Sequence, residues 1–391
     1  MTGPLDGFKI LDLSAVLSGP LATMWLADQG ANVIKVEPFH GDIVRAMGGG
    51  DGITPSFLSA NRGKKGIAVD LKTPQGLALV MRLAAEADVL VQNFRPGAIE
   101  RMGLGYDTVT EVNPNIVYCS ISGFGETGPY AHKRVYDPVI QSLSGLADIQ
   151  RDRETGRPKM IRTVIPDKTT GLTAAQAITA ALLSRERTGK GQHVKVAMID
   201  AMISLTWAEG MAGYTIIGNE DKVPPQLAPD LIFETSDGYI TAGAISNAEW
   251  QGMCKALNKE EWLADERFNT PAGRVKNNAQ RLNLTAEVIA TKPTAHWLKV
   301  MDENSVPSAP VLSRKELLQH EQIIANKLIE EMHQPGLGAV RQPRPAARFS
   351  ETPAVISGPA PLLGEHTREV LSNLGLSDTD IDELYAQNIV R

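Results

Sequence analysis

From residue 8 to about residue 215 the chain alternates short β-rich runs with helical ones, and this pattern narrows the possible folds more than any other feature. Phe8–Leu13, Ala31–Glu37, Ile67–Val69, Val89–Val91, Ile116–Ser120 and Val194–Ala197 read as strands. Pro20–Asp28 reads as a helix, its proline tolerated in the first turn, as do Pro74–Ala87 and Leu172–Arg187. Strands interleaved with helices in this way form a mainly parallel sheet with helices on its faces. The expected class is α/β, with a smaller α+β domain attached.

The alternation stops at a proline-containing stretch, Lys222 to Pro229. Beyond it Leu231–Glu234 and Gly238–Ala242 read as a hairpin around Ser236-Asp237-Gly238, followed by helices. One of these carries Trp250, Met253 and Leu257 at core spacing. Scattered prolines from Pro335 to Pro361 suggest an extended arm. Ser377 and Asp380 are placed to open a final helix as a capping box. The expected division is a large domain over residues 1–221, a linker and small domain over 222–334, and a return arm with C-terminal helix over 335–391.

Charge and special residues exclude several classes. A net charge of −6 argues against a general nucleic-acid binder. The two cysteines, Cys119 and Cys254, offer neither a disulfide framework nor a metal-binding pair, and the seven histidines form no ligand pair. Cys119 lies within a strand and reads as core packing. The N-terminus lacks a signal-peptide pattern and no stretch is apolar enough to span a membrane. A cytoplasmic protein with no metal, no membrane contact and no nucleic-acid partner is expected.

A dinucleotide site is not expected. Residues 8–37 run strand, helix, strand and end in Glu37, but the first turn, Ser14-Ala15-Val16-Leu17-Ser18-Gly19-Pro20, lacks the glycines that let a pyrophosphate approach the backbone. Gly123-Phe124-Gly125-Glu126-Thr127-Gly128 has the glycines, yet no apolar helix follows it, and it reads as a mobile loop.

Two other features carry chemistry. Val164-Ile165-Pro166-Asp167-Lys168-Thr169-Thr170-Gly171 joins an apolar, strand-like run to an Ala-rich helix. Asp167 then stands at a strand end and a helix start, where it either caps the helix or, ionised, acts as a covalent nucleophile. Between residues 60 and 101 lie Arg62, Lys64, Lys65, Lys72, Arg95 and Arg101. Lys64 and Lys65 read as solvated surface. Arg95 and Arg101 suit either ordinary surface pairs or charge-assisted binding of a polyphosphate such as coenzyme A. Asn93 and Phe94 are candidate nucleotide contacts, with a core role the alternative for Phe94. Tyr136 and Asp137 are candidates for an acyl pocket, and Asp200 reads as structural.

Several ordered segments resemble the class III CoA-transferases, the family of formyl-CoA transferase and the carnitine CoA-transferases. They include Pro4-Leu5-Asp6-Gly7, Gly19-Pro20, Gly30 to Glu37, Asp70 to Pro74, Asn93 to Gly97, Arg101-Met102-Gly103, Ser122 to Gly125, Tyr136-Asp137, Asp167, Thr188 to Gln192 and Met198 to Ala201. The resemblance implies a Rossmann-like large domain and a homodimer of two interlocked rings, with each active site between one subunit's large domain and the other's small domain. It places the nucleophile on Asp167. Coenzyme-binding positions fall on Leu17, Ser18, Val69, Asp70, Leu71, Lys72, Asn93, Phe94, Arg95, Arg101, Arg134, Val135, Tyr136 and Asp137. Where formyl-CoA transferase has His, Gln and Arg, this chain has Ala15, Leu17 and Pro38, and the family's glycine-rich loop is replaced by Ala242-Gly243-Ala244-Ile245-Ser246. Formate and oxalate are therefore not the expected pair.

The implied activity moves coenzyme A, a substrate and not a tightly bound cofactor, from an acyl-CoA thioester to a free acid. It runs through an aspartyl anhydride and an aspartyl-CoA thioester. Dicarboxylates are favoured because Arg134 offers a second cation. Two alternatives stand beside it. An acyl-CoA racemase of the same fold needs a His paired with an Asp as base and acid; that histidine aligns with Tyr136, and His132 lies four positions away. A non-catalytic acyl-CoA carrier would leave Asp167 as a cap.

Overall fold

A computed structural model describes residues 3–47, 52–152, 154–218, 220 and 230–391; the expected linker, Lys222 to Pro229, lies outside the described residues. Two compact units are present, Met1–Pro224 with Lys327–Arg391, and Pro225–Asn326.

The larger unit is built on six strands: β1 (Lys9–Asp12), β2 (Asn32–Glu37), β3 (Lys65–Ala68), β4 (Val89–Gln92), β5 (Val117–Ser122) and β6 (Gln192–Ala197). They lie in the order β3-β2-β1-β4-β5-β6, and every neighbouring pair is parallel. Helices α1 (Ser18–Asp28), α2 (Pro55–Asn61), α3 (Pro74–Glu86), α4 (Ala98–Arg101), α5 (Tyr106–Val112), α6 (Asp137–Leu143), α7 (Leu146–Ile149), α8 (Ile165–Thr188) and α9 (Met198–Trp207) connect or follow them.

Alternate side chains along a strand point to opposite faces, and the core divides accordingly. Ile10, Val89 and Val91 pack with Ala22 and Leu26 of α1 and Ala174, Ile178 and Leu182 of α8. Leu11 and Leu90 pack on the other side with Leu79, Val80 and Leu83 of α3 and with Val370, Leu371 and Ile381. With both faces covered, β4 is apolar and wholly buried across Val89-Leu90-Val91. The strand order reverses between β1 and β4, so the turns leaving these two strands diverge and open a crevice at their C-terminal ends.

In the smaller unit β7 (Ile232–Glu234) and β8 (Tyr239–Ala242) form the expected hairpin, joined by β9 (Ser308–Pro310). Trp250, Met253 and Cys254 of α10 (Asn247–Ala256) pack with Leu257, Trp262 and Phe268. Helices α11 (Pro271–Lys276), α12 (Asn278–Ile289), α13 (Thr294–Glu303), α14 (Arg314–Leu317) and α15 (Glu321–Ala325) follow. The prolines after residue 334 do not mark a wholly extended arm. β10 (Ile329–Gln334) and β11 (Gly338–Pro343) pair antiparallel, with Pro343 at the last position of its strand. The chain ends in α16 (Thr367–Asn373) and α17 (Asp378–Ala386), the latter opened by the Ser377/Asp380 capping box.

Lys64 is not solvated surface. Its ammonium is fully buried and donates to Asp12 Oδ2 at 2.9 Å, the Pro20 carbonyl at 2.9 Å and Asn61 Oδ1 at 2.8 Å. Arg62 is likewise internal, gripping Asp28 through Nε at 3.1 Å and Nη2 at 2.7 Å. The cover comes from the far end of the chain, since the Gly63 N–H bonds the carbonyls of Gly358 and Pro359 and Arg62 reaches the Pro343 carbonyl. Lys65, by contrast, makes a half-exposed pair with Glu369.

Burial pushes the Lys64 ammonium down to about 8 against the pull of Asp12. Burial opposes the Asp12 charge too, but Lys64, Lys35, Ser14 and Thr23 outweigh it and hold the carboxyl well below its usual range. Replacing Lys64 with methionine leaves that carboxylate uncompensated, a loss of about 3–5 kcal/mol in urea unfolding. Lys65→Met, at the surface, should cost less than about 1 kcal/mol in the same measurement.

Candidate active site

Pro166 suits the first turn of a helix, and α8 accordingly starts at Ile165, with Val164 as its N-cap and no side chain capping it. The strand expected before Asp167 is absent: the apolar run Val164-Ile165 is two residues long and passes straight into α8. Asp167 is the third residue of the helix, not its cap.

Its partly buried carboxylate faces the start of α1, where the hydroxyl and the backbone N–H of Ser18 favour its charged form. Gly171, one turn further along α8, permits this approach: a Cβ there would stand 2.8 Å from the Ser18 carbonyl oxygen and 3.1 Å from the Trp25 ring. The positive ends of two helix dipoles, those of α1 and α8, thus meet at one carboxylate.

A second carboxylate stands beside the first. Asp137, buried in the first turn of α6, accepts the Asp167 N–H at 3.3 Å through Oδ2 and the Gln141 amide at 2.7 Å through Oδ1. Burial and then the negative charge of Asp137 push Asp167 up to about 6, against the lowering effect of the Ser18 donors. A carboxylate so placed is ionised at neutral pH, yet more basic than an ordinary aspartate and less quenched as a nucleophile.

The turn that presents Ser18 is strained. Val16 has φ of 69°, a left-handed conformation that β-branched residues rarely hold and that costs of the order of 1–3 kcal/mol. Asn93, at the end of β4, brackets the neighbouring Ala15, accepting its N–H at 2.8 Å and donating to its carbonyl at 2.7 Å. The two sides of the crevice are therefore stitched together by one side chain.

The remaining sequence-derived positions divide by burial. Leu17 is the N-cap residue of α1. Val69 is wholly buried and its N–H bonds Glu37 O, while the Asp70 N–H bonds the Ile389 carbonyl. Leu71 and Phe94 pack at the edge of the core, and Lys72 is exposed. Arg95, Arg101 and Arg134 are exposed, and their guanidinium groups have no hydrogen-bond or ion-pair partner among the described residues. Val135 packs partly buried, and Tyr136 is 66% exposed at the N-cap of α6.

Arg62 and Lys64 leave the set of phosphate-binding candidates, because both are spent inside the unit. Glu37, which superficially suits a nucleotide ribose, is buried in a two-point ion pair with Arg45, 2.7 Å at each contact. The residues missed in the sequence are Asp42 and Lys35, which act on the Val16 turn. Gly171 in an otherwise Ala-rich helix was a visible sign of the close helix approach.

Among the described residues no cluster of His, Cys, Asp and Glu fits a metal ion, and no helix is long and apolar enough to cross a membrane.

The profile of CoA-transferase family III matches residues 5–367. The chain is 38% identical to the succinyl-CoA:glutarate CoA-transferase of Mus musculus over 99% of its own length and 90% of that protein. It is 34% identical to the succinyl-CoA–D-citramalate CoA-transferase of Chloroflexus aurantiacus, covering 99% of this chain and 98% of the other. A crystal structure of a CaiB/BaiF family protein from Brucella suis superposes with a TM-score of 0.83 at 33% identity, covering 96% of this chain and all of that one.

The raised Asp167 carboxyl has a consequence for stability. A group bound more tightly to its proton in the folded state adds stability below its unfolded value, near 3.8, and loses that contribution as pH rises through about 6. Asp167→Asn removes the charge, so the variant should unfold at higher urea than wild type at pH 7.5, by about 1–2 kcal/mol. The gap should close near pH 4.

Proposed function

We propose that this chain, which belongs to CoA-transferase family III and is a CoA-transferase, exchanges coenzyme A between dicarboxylic acids of the succinate and glutarate size through covalent intermediates on Asp167. The observation that carries this reading is the Asp167 carboxylate set on the first turn of α8 and facing the Ser18 donors at the start of α1.

In the first step an Asp167 oxygen attacks the donor thioester carbon. The C–S bond breaks, the coenzyme leaves as a thiolate, and a mixed anhydride joins Asp167 to the donor acyl group. The thiolate then attacks the aspartyl carbonyl, releasing the donor as a carboxylate and forming an aspartyl-CoA thioester. An acceptor carboxylate attacks that thioester, and the expelled thiolate takes the acceptor acyl group from the new anhydride. Asp167 emerges as a carboxylate.

Each attack on the aspartyl carbonyl places negative charge on an oxygen. The Ser18 N–H and hydroxyl, with the neighbouring Leu17 N–H, are the donors available to it. Asp137 contributes from the other side, since acylation neutralises Asp167 and removes the repulsion between the two carboxylates.

Arg95, Arg101 and Lys72 offer cations for the coenzyme phosphates at the crevice between β1 and β4. Arg134, exposed and without a carboxylate partner among the described residues, suits the distal carboxylate of a diacid. The names of the relatives support diacid substrates. The reading includes an interlocked homodimer, supported by apolar surface at Leu205, Trp207, Ile216 and Ile217, the last 94% exposed.

A racemase reading has no support at position 136, where the histidine such a reaction needs is replaced by an exposed tyrosine.

The test is a panel of acyl-CoA donors and free acids read by mass analysis of new thioesters. Succinyl-CoA with glutarate should react well and monoacids poorly. Hydroxylamine during turnover should leave a hydroxamate on the peptide containing Asp167. Asp167→Asn should lose exchange by about a thousandfold or more while retaining coenzyme binding. The wild-type kcat/KM should fall as pH drops through about 6, as the nucleophile gains its proton.

A further inference from the structure

In the turn between β1 and α1 three backbone N–H groups are each taken by a different side chain. The Ser14 N–H goes to Asp12 Oδ1 at 2.9 Å and the Ala15 N–H to Asn93 Oδ1 at 2.8 Å. The Val16 N–H goes to both oxygens of Asp42, at 3.2 and 3.1 Å. The next two are different. The Leu17 N–H has no partner among the described residues, and the Ser18 N–H acts on the Asp167 carboxyl, favouring its charged form.

Val16, where the change occurs, is the residue in the left-handed conformation. Left to itself a valine would relax to an extended or right-handed backbone. That rotation would carry the following peptide, and with it the start of α1, away from Asp167.

What prevents it comes from outside the turn. Asp42 follows β2 and is itself fixed, its N–H bonded to Glu37 Oε2 at 2.9 Å and its Oδ1 accepting from Val44 at 3.1 Å. The buried Lys35 ammonium reaches Asp42 Oδ2 at 3.3 Å and the Ser14 carbonyl at 2.9 Å, so one cation grips the anchor and the turn together. Neutralising Lys35 does not by itself require Asp42 to face the Val16 N–H, since Asp12 and Glu37 also stabilise that ammonium.

We propose that Asp42, locked by Lys35, is a positioning residue: it holds Val16 in its left-handed conformation and so aims the Leu17 and Ser18 donors at the Asp167 carboxyl. The inference rests on the reading of Asp167 as the acylated nucleophile. It assigns Asp42 no contact with substrate.

The experiment compares Asp42→Asn, Val16→Gly and the double variant with wild type, using succinyl-CoA and glutarate. Glycine takes up a positive φ without strain, so the turn then needs less external hold. Asp42→Asn should lower kcat by about 30- to 100-fold, the scale of a misplaced catalytic geometry, with KM for succinyl-CoA changed by less than about threefold. Val16→Gly alone should lose a few-fold, and adding it to Asp42→Asn should recover kcat at least about tenfold.

A merely structural role for Asp42 would lower the melting temperature and the yield of active protein without this split or this rescue. Wild-type kcat in Asp42→Asn, or a double variant no better than it, overturns the proposal. If Asp42→Asn does not fold, the double variant decides: folded, active protein supports the proposal, and unfolded or inactive protein overturns it. Hydroxylamine trapping separates the two levels. A wild-type enzyme that yields no Asp167 hydroxamate sinks the covalent reading itself, whereas trapping in wild type without rescue in the double variant sinks the positioning role alone.

Discussion

The pairing of Asp12 with Lys64 beneath the first turn is the interaction on which the site depends. Asp12 ends β1, and a carboxylate sealed at that place requires a cation, which Lys64 supplies. The remaining valences of the pair then organise their surroundings: Asp12 takes the Ser14 N–H and the Thr23 hydroxyl, and Lys64 takes the Pro20 carbonyl. Ser14 lies in the turn, and Pro20 and Thr23 lie in α1. One ion pair therefore sets where the first helix starts relative to the first strand, and Ser18 is carried into place as a result. Such a pair is a poor source of net stability compared with apolar packing. Its value here is in fixing a geometry.

The sheet was largely legible because its strands are short apolar runs bounded by helical segments, and a parallel sheet covered on both faces demands that pattern. Val89-Leu90-Val91 could be little else. The strand order was not legible, since period and propensity do not say which runs become neighbours. Asp167 could be found from its motif, but the apolar pair before it was misread as a strand. A two-residue run followed by proline is equally a helix entry, and the difference lay in the first-turn preference of Pro166.

Lys64 failed for a different reason. Lys64 and Lys65 are adjacent, identical in chemistry and similar in local context, yet one is wholly buried and the other half exposed. What separates them is what each ammonium meets: Lys64 turns inward to Asp12, the Pro20 carbonyl and Asn61, and Lys65 pairs at the surface with Glu369. Partners that only the fold brings together leave no local trace. The same holds for Asp42, whose importance lies in a contact with Val16 across a sharp turn.

The distribution of interior charge explains why Asp167 keeps its basicity. Around β1 and β2 the buried cations Lys35, Arg45, Arg62 and Lys64 face the buried carboxylates Asp42, Glu37, Asp28 and Asp12, one partner for each. That set is neutral and closed. Asp137 and Asp167 stand outside it, and the causes acting on Asp167 are burial, a second carboxylate and neutral donors. A lysine or arginine beside Asp167 would hold its carboxyl low and blunt it as a nucleophile. Pairing these buried cations with carboxylates of their own leaves the dipoles of the two helix N-termini among the positive environment of the nucleophile. Partial charges of that kind can stabilise an oxyanion as it forms without neutralising the carboxylate that must first attack.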